Sequence, residues 1–157
     1  MDTWPNLISM FFAQAEKLAD KPFLWAKENG DYVSQSWGDA AEIVLALSRG
    51  LKAIGIEKGD RVVLCSENRP EWPIAHLAIM AAGGITVPAY TTNTVNDHLY
   101  ILSNSGAKAA IVSTTKLAER MIPAAHQTDG LSCVLTMEDM DISQASGVDI
   151  RTWKAVI

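Results

Sequence analysis

Three polar stretches of this 157-residue sequence gather the side chains best suited to chemistry. They are Ser66-Glu67-Asn68-Arg69, Thr91-Thr92-Asn93-Thr94 and Ser113-Thr114-Thr115-Lys116, each placed after a short apolar run and before a helical pattern. Such a rim can hold an anion such as phosphate, because free backbone N–H groups and the positive end of the helix dipole point toward it. Ser, Thr and Asn are also what helix N-caps require, and Asn68 and Thr94 are the best-placed caps. The rim indicates a place and leaves its chemistry open.

Other arrangements are weaker. Glu67 and Glu71 could pair as carboxylates, but an acid in the first turn of a helix is favoured by the dipole in any case. His76, His98 and His126 fall in helical patterns without the i, i+4 spacing of a metal pair, so they read as surface or packing histidines. Cys65 and Cys133 lie in apolar runs with no C-x-x-C partner, which implies buried reduced thiols, no metal and a cytoplasmic location. The phosphate-loop, dinucleotide and nucleophile-elbow patterns are absent from the sequence. A response-regulator-like domain would need clustered acids at strand ends, and only Glu67 stands near such a position.

The elements that would position the rim follow from periodicity. A helix is predicted over 6–19, with Leu7, Met10, Phe11 and Leu18 on one side and Pro22 ending it. Strands over 23–27 and 32–37 flank Asn29-Gly30, the favoured pair for a tight hairpin turn. Ser36 and Asp39 form a capping box for a helix carrying Ala40, Ile43, Val44, Leu47, Leu51 and Ile54, which Gly55 stops. Strands over 61–66, 85–90, 109–113 and 132–136 then alternate with helices over 71–82, 94–105 and 116–127. Such an alternation, with continuously apolar strands, predicts right-handed crossovers and a parallel sheet covered on both faces. The fold class is α/β: a doubly wound, mostly parallel sheet with helices on both faces, preceded by an N-terminal helix and hairpin. The segment 137–157 reads as flexible or incomplete.

Composition narrows the function classes. Net charge is −5 with no Lys/Arg cluster, which argues against nucleic-acid binding. No Asp, Glu, Lys or Arg occurs between Glu71 and Asp97, yet Gly83-Gly84, Pro88 and His76 break the run, so it reads as a buried helix and strand rather than a transmembrane segment. The N-terminus lacks the basic region of a signal peptide.

Four phrases resemble adenylate-forming enzymes, in order and in register. Gly55-Ile56-Glu57-Lys58-Gly59-Asp60-Arg61-Val62-Val63-Leu64 is similar to the first. Ser66-Glu67-Asn68-Arg69-Pro70-Glu71-Trp72 is similar to the second, in its long-chain acyl-CoA synthetase form. Ala82-Gly83-Gly84-Ile85-Thr86-Val87-Pro88-Ala89-Tyr90 is similar to the third, and Tyr100-Ile101-Leu102 with Ser105-Gly106-Ala107-Lys108 to the fourth. The resemblance covers residues 3–134 and marks 1–157 as the N-terminal part of an AMP-binding (adenylation) domain, a partial subdomain of a larger enzyme.

The resemblance implies an acid–thiol ligase. Such an enzyme joins a carboxylate to the α-phosphate of ATP, releases pyrophosphate with Mg²⁺ assisting, and passes the acyl group to coenzyme A. Fatty acid, ATP and CoA are the implied partners of the intact enzyme, with peripheral contact to a membrane. The family's phosphate loop, ribose-binding aspartate and adenylation lysine have no counterpart in this sequence. No catalytic or metal residue is therefore assigned, and the chain alone is expected to be inactive, to bind no cofactor tightly and to self-associate. By likeness to acetyl-CoA synthetase relatives, Thr91, Thr92 and Arg120 fall on the CoA-nucleotide side; Thr91 stands where long-chain relatives often have proline. The alternatives are an aryl-CoA ligase, a carrier-protein-loading adenylation domain, or a non-catalytic α/β module that binds a nucleotide or a protein.

Overall fold

The computed structural model describes residues 3–140 and 147–157. Helix α1 (Leu7–Leu18) starts at Asn6, whose side chain accepts from the Ser9 N–H at 2.8 Å. It ends well before Pro22. Ala19 turns the chain at φ 32°, and Pro22 opens strand β1 (Pro22–Glu28) instead of stopping the helix. Strand β2 (Asp31–Ser36) returns antiparallel through Asn29 and Gly30 at φ 50° and 99°, the left-handed pair a tight hairpin demands. Trp37 belongs to helix α2 (Trp37–Ala53) rather than to the strand, because the Ser36–Asp39 capping box already starts the helix there. Phe11, Phe23 and Trp37 stack into one aromatic cluster that ties α1 and the hairpin to α2.

Strand β3 (Arg61–Cys65), helix α3 (Glu71–Ala82), strand β4 (Ile85–Pro88), helix α4 (Val95–Ser105), strand β5 (Ala109–Val112), helix α5 (Thr115–His126), strand β6 (Cys133–Thr136) and strand β7 (Asp149–Thr152) follow. The five strands pair in parallel in the order β4-β3-β5-β6-β7. Strand order reverses between β3 and β5, the topological switch point at which open sheets of this kind form a crevice. Val62, Leu64, Ala109, Ile111 and Leu135 face the core built with α2 and α3. Val63, Cys65, Ala110, Val112 and Val134 face a second core built with α4 and α5. The sheet is doubly wound.

One strand departs from the expected full cover. β4 is an edge strand that ends at Pro88, and Ile85 is 52% exposed. The Ile85 and Ala89 N–H groups donate to Asp60 and Leu64 of the β3 segment. By strand alternation Thr86 and Pro88 face the open side, where Pro88 offers no N–H. The edge is thereby blunted against further strand addition.

The amino end of the sheet is closed by the first, third and fourth phrases acting together. Arg61 donates from Nε to the Ser105 carbonyl at 2.6 Å and from Nη2 to that of Gly106 at 2.8 Å, capping the C-terminus of α4 with a cation. A Cβ on Gly106 would lie 2.6 Å from that guanidinium, and its φ of 60° suits glycine. The Gly59 N–H meets the Gly83 carbonyl at 2.9 Å, and Gly84 sits so close to Asp60 and Ile79 that a Cβ would crowd both.

At the other end Arg69 forks onto Glu71 at 2.9 and 3.0 Å and reaches Glu138 at 2.8 Å, linking the start of α3 to the chain after β6. Burial pushes the Glu71 carboxyl up, but the Arg69 hydrogen bonds, its own backbone N–H and the Arg69 charge outweigh this and leave it below the usual range.

The apolar-rich run after Asp149 forms β7 and a 3-10 turn over Trp153–Ala155, with Trp153 buried. Part of the segment expected to be flexible, residues 141–146, lies outside the described residues. Val156 closes onto α2 at Gly50, where an added Cβ would overlap the Val156 carbonyl oxygen and Cγ1. Helix propensity alone favours Ala over Gly by about 0.5–1 kcal/mol. Overpacking against backbone costs about 1–3 kcal/mol, so the clash should win. Gly50→Ala is expected to lower the urea midpoint of this chain, and to raise it in a chain shortened to Ala155; the same sign in both would refute the docking.

Candidate functional site

At the carboxyl ends of β3, β4 and β5 lies a concavity of about 410 Å³ lined by Glu67, Thr91, Thr92, Lys116, Leu117 and Arg120. Its walls come from three connections. Glu67 leaves β3, Thr91 and Thr92 leave β4, and Lys116 and Arg120 stand one turn apart on α5. The structure thus brings the three residues expected on the CoA-nucleotide side into one wall. It adds Glu67 and Lys116, which belong to the polar stretches but carried no site assignment.

Each side chain has a fixed setting. Glu67 accepts a hydrogen bond from Ser113 Oγ, a hydroxyl with no exposure of its own. Burial pushes the Glu67 carboxyl up, but the Ser113 bond, its own backbone N–H, the Arg69 charge and Thr114 together outweigh this and hold it below the usual range. Arg120 Nη1 donates to the Thr91 carbonyl at 3.2 Å and the Asn93 carbonyl at 3.1 Å. One guanidinium nitrogen is therefore committed to shaping the loop before α4.

The rim residues divide between capping and availability. Thr94 caps α4 in a full box with Asp97. Asn68 caps nothing: α3 starts behind Pro70, with no side-chain cap, because Arg69 and Glu71 pair across that turn. Thr114 precedes α5 without a side-chain cap; Leu117 N–H donates to the Thr114 carbonyl at 3.1 Å, and the N–H groups of Thr115 and Lys116 are left for an acceptor. Two cations, an open helix N-terminus and two hydroxyls fit a phosphate-bearing ligand, with Glu67 limiting the net charge.

Elsewhere the chemistry is quieter. Cys65 and Cys133 are buried free thiols, pushed up to about 11 by burial and by Glu67 and Asp149 respectively. His76 shares a 2.9 Å hydrogen bond with Thr86 and lies against Trp72. His98 is fully buried, as a packing histidine would be. Among the described residues no group of three His, Cys, Asp or Glu could hold a metal ion, and no helix is long and apolar enough to cross a membrane. A larger groove of about 860 Å³ runs between the hairpin, α2, α3 and the C-terminal turn. Of its charged groups, Arg69, Glu71 and Lys154 are in ion pairs, Asp39 is held in the α2 capping box and Glu28 stands at the hairpin edge; the rest of the wall is chiefly apolar.

Comparison with known proteins gives these features a family. The model of the family described as AMP-binding enzyme matches residues 11–155. A phenylacetyl-CoA ligase of Aspergillus niger is 37% identical over 124 residues, covering 77% of this chain and 22% of its own length. A long-chain-fatty-acid–CoA ligase of Mycobacterium tuberculosis is 29% identical over 130 residues, covering 83% and 22%. The solved benzoate CoA ligase of Burkholderia xenovorans superposes with a TM-score of 0.77 at 23% identity, covering 98% of this chain and 28% of that one. The chain spans 22% of the length of these two curated relatives and 28% of the solved ligase. The chain belongs to the AMP-binding enzyme family, with the adenylate-forming ligase fold.

Proposed function

We propose that this chain is part of an ATP-dependent acid–CoA ligase acting on long-chain fatty acids in the cytoplasm. The acid's carboxylate oxygen attacks the α-phosphorus of ATP, with Mg²⁺ assisting, and pyrophosphate leaves. The sulfur of CoA then bonds the acyl carbon as the bond from that carbon to the AMP oxygen breaks; AMP leaves with the bonding pair and the thiol proton passes to solvent. The role of this chain in that sequence is at the CoA nucleotide, whose phosphates meet Lys116, the open start of α5 and the Thr91–Thr92 loop held by Arg120. The observation that carries the reading is this convergence of donors and positive charge at the switch point. The second phrase and the mycobacterial relative support a long-chain acid. A second reading, an aryl acid, is supported by the higher identity to the Aspergillus phenylacetyl-CoA ligase.

The CoA assignment has a direct test on the 157-residue chain. CoA should shift the backbone amide signals of Thr91, Thr92 and Lys116 in NMR titrations, and dephospho-CoA should bind more weakly. Lys116→Gln should weaken CoA by about 10- to 100-fold, the worth of one lost charge-assisted hydrogen bond of about 1.5–3 kcal/mol. Unmoved amides at all three positions would sink the assignment.

The reaction has its own test. Given ATP, CoA and palmitate, the chain alone should release no pyrophosphate above blank. Expressed with any downstream coding sequence, it should release pyrophosphate faster with palmitate than with phenylacetate; the reverse order establishes the aryl reading instead.

The exposed Trp25, Tyr32 and Val33 of the hairpin and the apolar groove beside it leave a surface suited to association. Sedimentation velocity should show dimers or larger species as concentration rises. A clean monomer throughout would count against this.

A further inference from the structure

Ser113 follows directly on β5 and has no exposure. Its main chain is fixed on both sides. The N–H donates to the Cys65 carbonyl at 3.3 Å, and the carbonyl accepts from the Glu138 N–H at 3.2 Å. With the backbone pinned between β3 and the chain after β6, the hydroxyl has only its staggered rotamers to choose from. It donates to the Glu67 carboxylate, 46 positions away in sequence. An alanine would fill this buried place with no hydroxyl to satisfy, so packing alone does not account for a serine here.

Glu67 has other groups within its own concavity to answer. Lys116 and Arg120, one turn apart on α5, line the same walls. Opposite charges that share a site attract, and the usual outcome is an ion pair. Among the described residues neither cation forms one, and Glu67 forms none either. Arg69, close by in sequence, is committed to Glu71 and Glu138. Arg120 gives one guanidinium nitrogen to the Thr91 and Asn93 carbonyls instead. The carboxylate is kept off the cations of its own cavity, and the contact that keeps it off is the Ser113 hydroxyl, with Thr114 also acting on it.

The balance of strengths agrees with this. A hydrogen bond from a buried hydroxyl to a carboxylate is charge-assisted and needs no long side chain to be ordered on the donor side. An exposed ion pair must hold two flexible side chains in one geometry and is weakened by water and salt. Glu67 and Lys116 are both exposed, so their pairing is the weaker of the two options.

We propose that Ser113 is a positioning residue: it holds the Glu67 carboxylate against the end of β5, so that Lys116 and the rest of the Arg120 guanidinium stay free for a ligand phosphate. Without the hydroxyl, the carboxylate turns to Lys116 or Arg120 and competes with that phosphate. The effect on a ligand rests on the reading of the concavity as a phosphate site; the placement of the carboxylate does not.

The experiment has two arms on the 157-residue chain. In the first, crystal structures of the wild type and of Ser113→Ala are compared. The Glu67 carboxylate should lie on Ser113 in the former and on Lys116 or Arg120 in the latter. A carboxylate that keeps its place through Thr114, or turns to solvent, overturns the proposal. In the second arm CoA is titrated by calorimetry. Ser113→Ala should bind CoA about 2- to 5-fold more weakly, the worth of one exposed ion pair set against the phosphate. Glu67→Gln combined with Ser113→Ala should bind as tightly as Glu67→Gln alone, because no carboxylate is left to release. A loss that persists in the double variant marks Ser113 as merely structural and overturns the proposal. Ser113→Cys, close in volume and only a weak donor, replaces the alanine variant if that one does not fold. A wild type that ignores CoA would sink the CoA reading alone, and the position of Glu67 in the two crystal structures then decides this one.

Discussion

Strand β3 is the constraint from which the rest follows. From Val62 to Leu64 it is buried on both faces and paired on both edges, and Cys65 pairs with β5. A segment in that position has no room for a polar side chain and no spare backbone group, so its polarity is pushed to its two ends. Arg61 stands at one end and Ser66-Glu67 at the other. The helices exist to cover what the strand cannot leave bare, and the loops exist to connect its ends to neighbours.

The two ends are used differently. At the amino end nearly every group finds a partner within the chain: Arg61 on Gly59, Ser105 and Gly106, Gly59 on Gly83, Lys108 on Arg61 and Ser132 on Lys108. It is a closed, stabilising surface. At the carboxyl end the groups converge without using one another up, and α5 starts with no side-chain cap. The glycines and the arginine of the phrases that carry the resemblance serve here to join the elements. Thr91, Thr92 and Lys116, from the polar stretches, line the open concavity.

What could be read in advance was whatever is decided locally. The Asn29-Gly30 turn, the Ser36–Asp39 box and the Thr94 cap each depend on residues within a few positions, and each has the expected geometry. Of the site, Thr91, Thr92 and Arg120 were named through resemblance and lie together. Glu67 and Lys116 had been seen only as parts of polar stretches, because nothing local shows which ends of separate strands are neighbours. Two other features were hidden for the same reason. β7 reads Asp-Ile-Arg-Thr, an alternating edge strand with too little apolar length to announce itself. The Arg69–Glu138 pair spans 69 positions and has no sequence signature. Asn68 shows the opposite error: a sound cap candidate overridden by the arginine and proline that follow it.

The bond from Arg61 to Ser105 joins positions 44 apart, and the β3–β4, β3–β5 and β5–β6 pairings likewise wait for a helix to bring their strands together. Little of the sheet can therefore assemble early on the time axis of folding. Chain entropy must be surrendered over long loops before a strand gains its first neighbour, which makes such topologies slow among small domains. During that interval Val62 to Cys65, the most apolar strand, stands without cover. The blunted β4 edge protects the finished molecule only. A newly made chain passes through a period in which its innermost strand is also its most adhesive one, and its yield depends on how quickly α3 and α4 arrive.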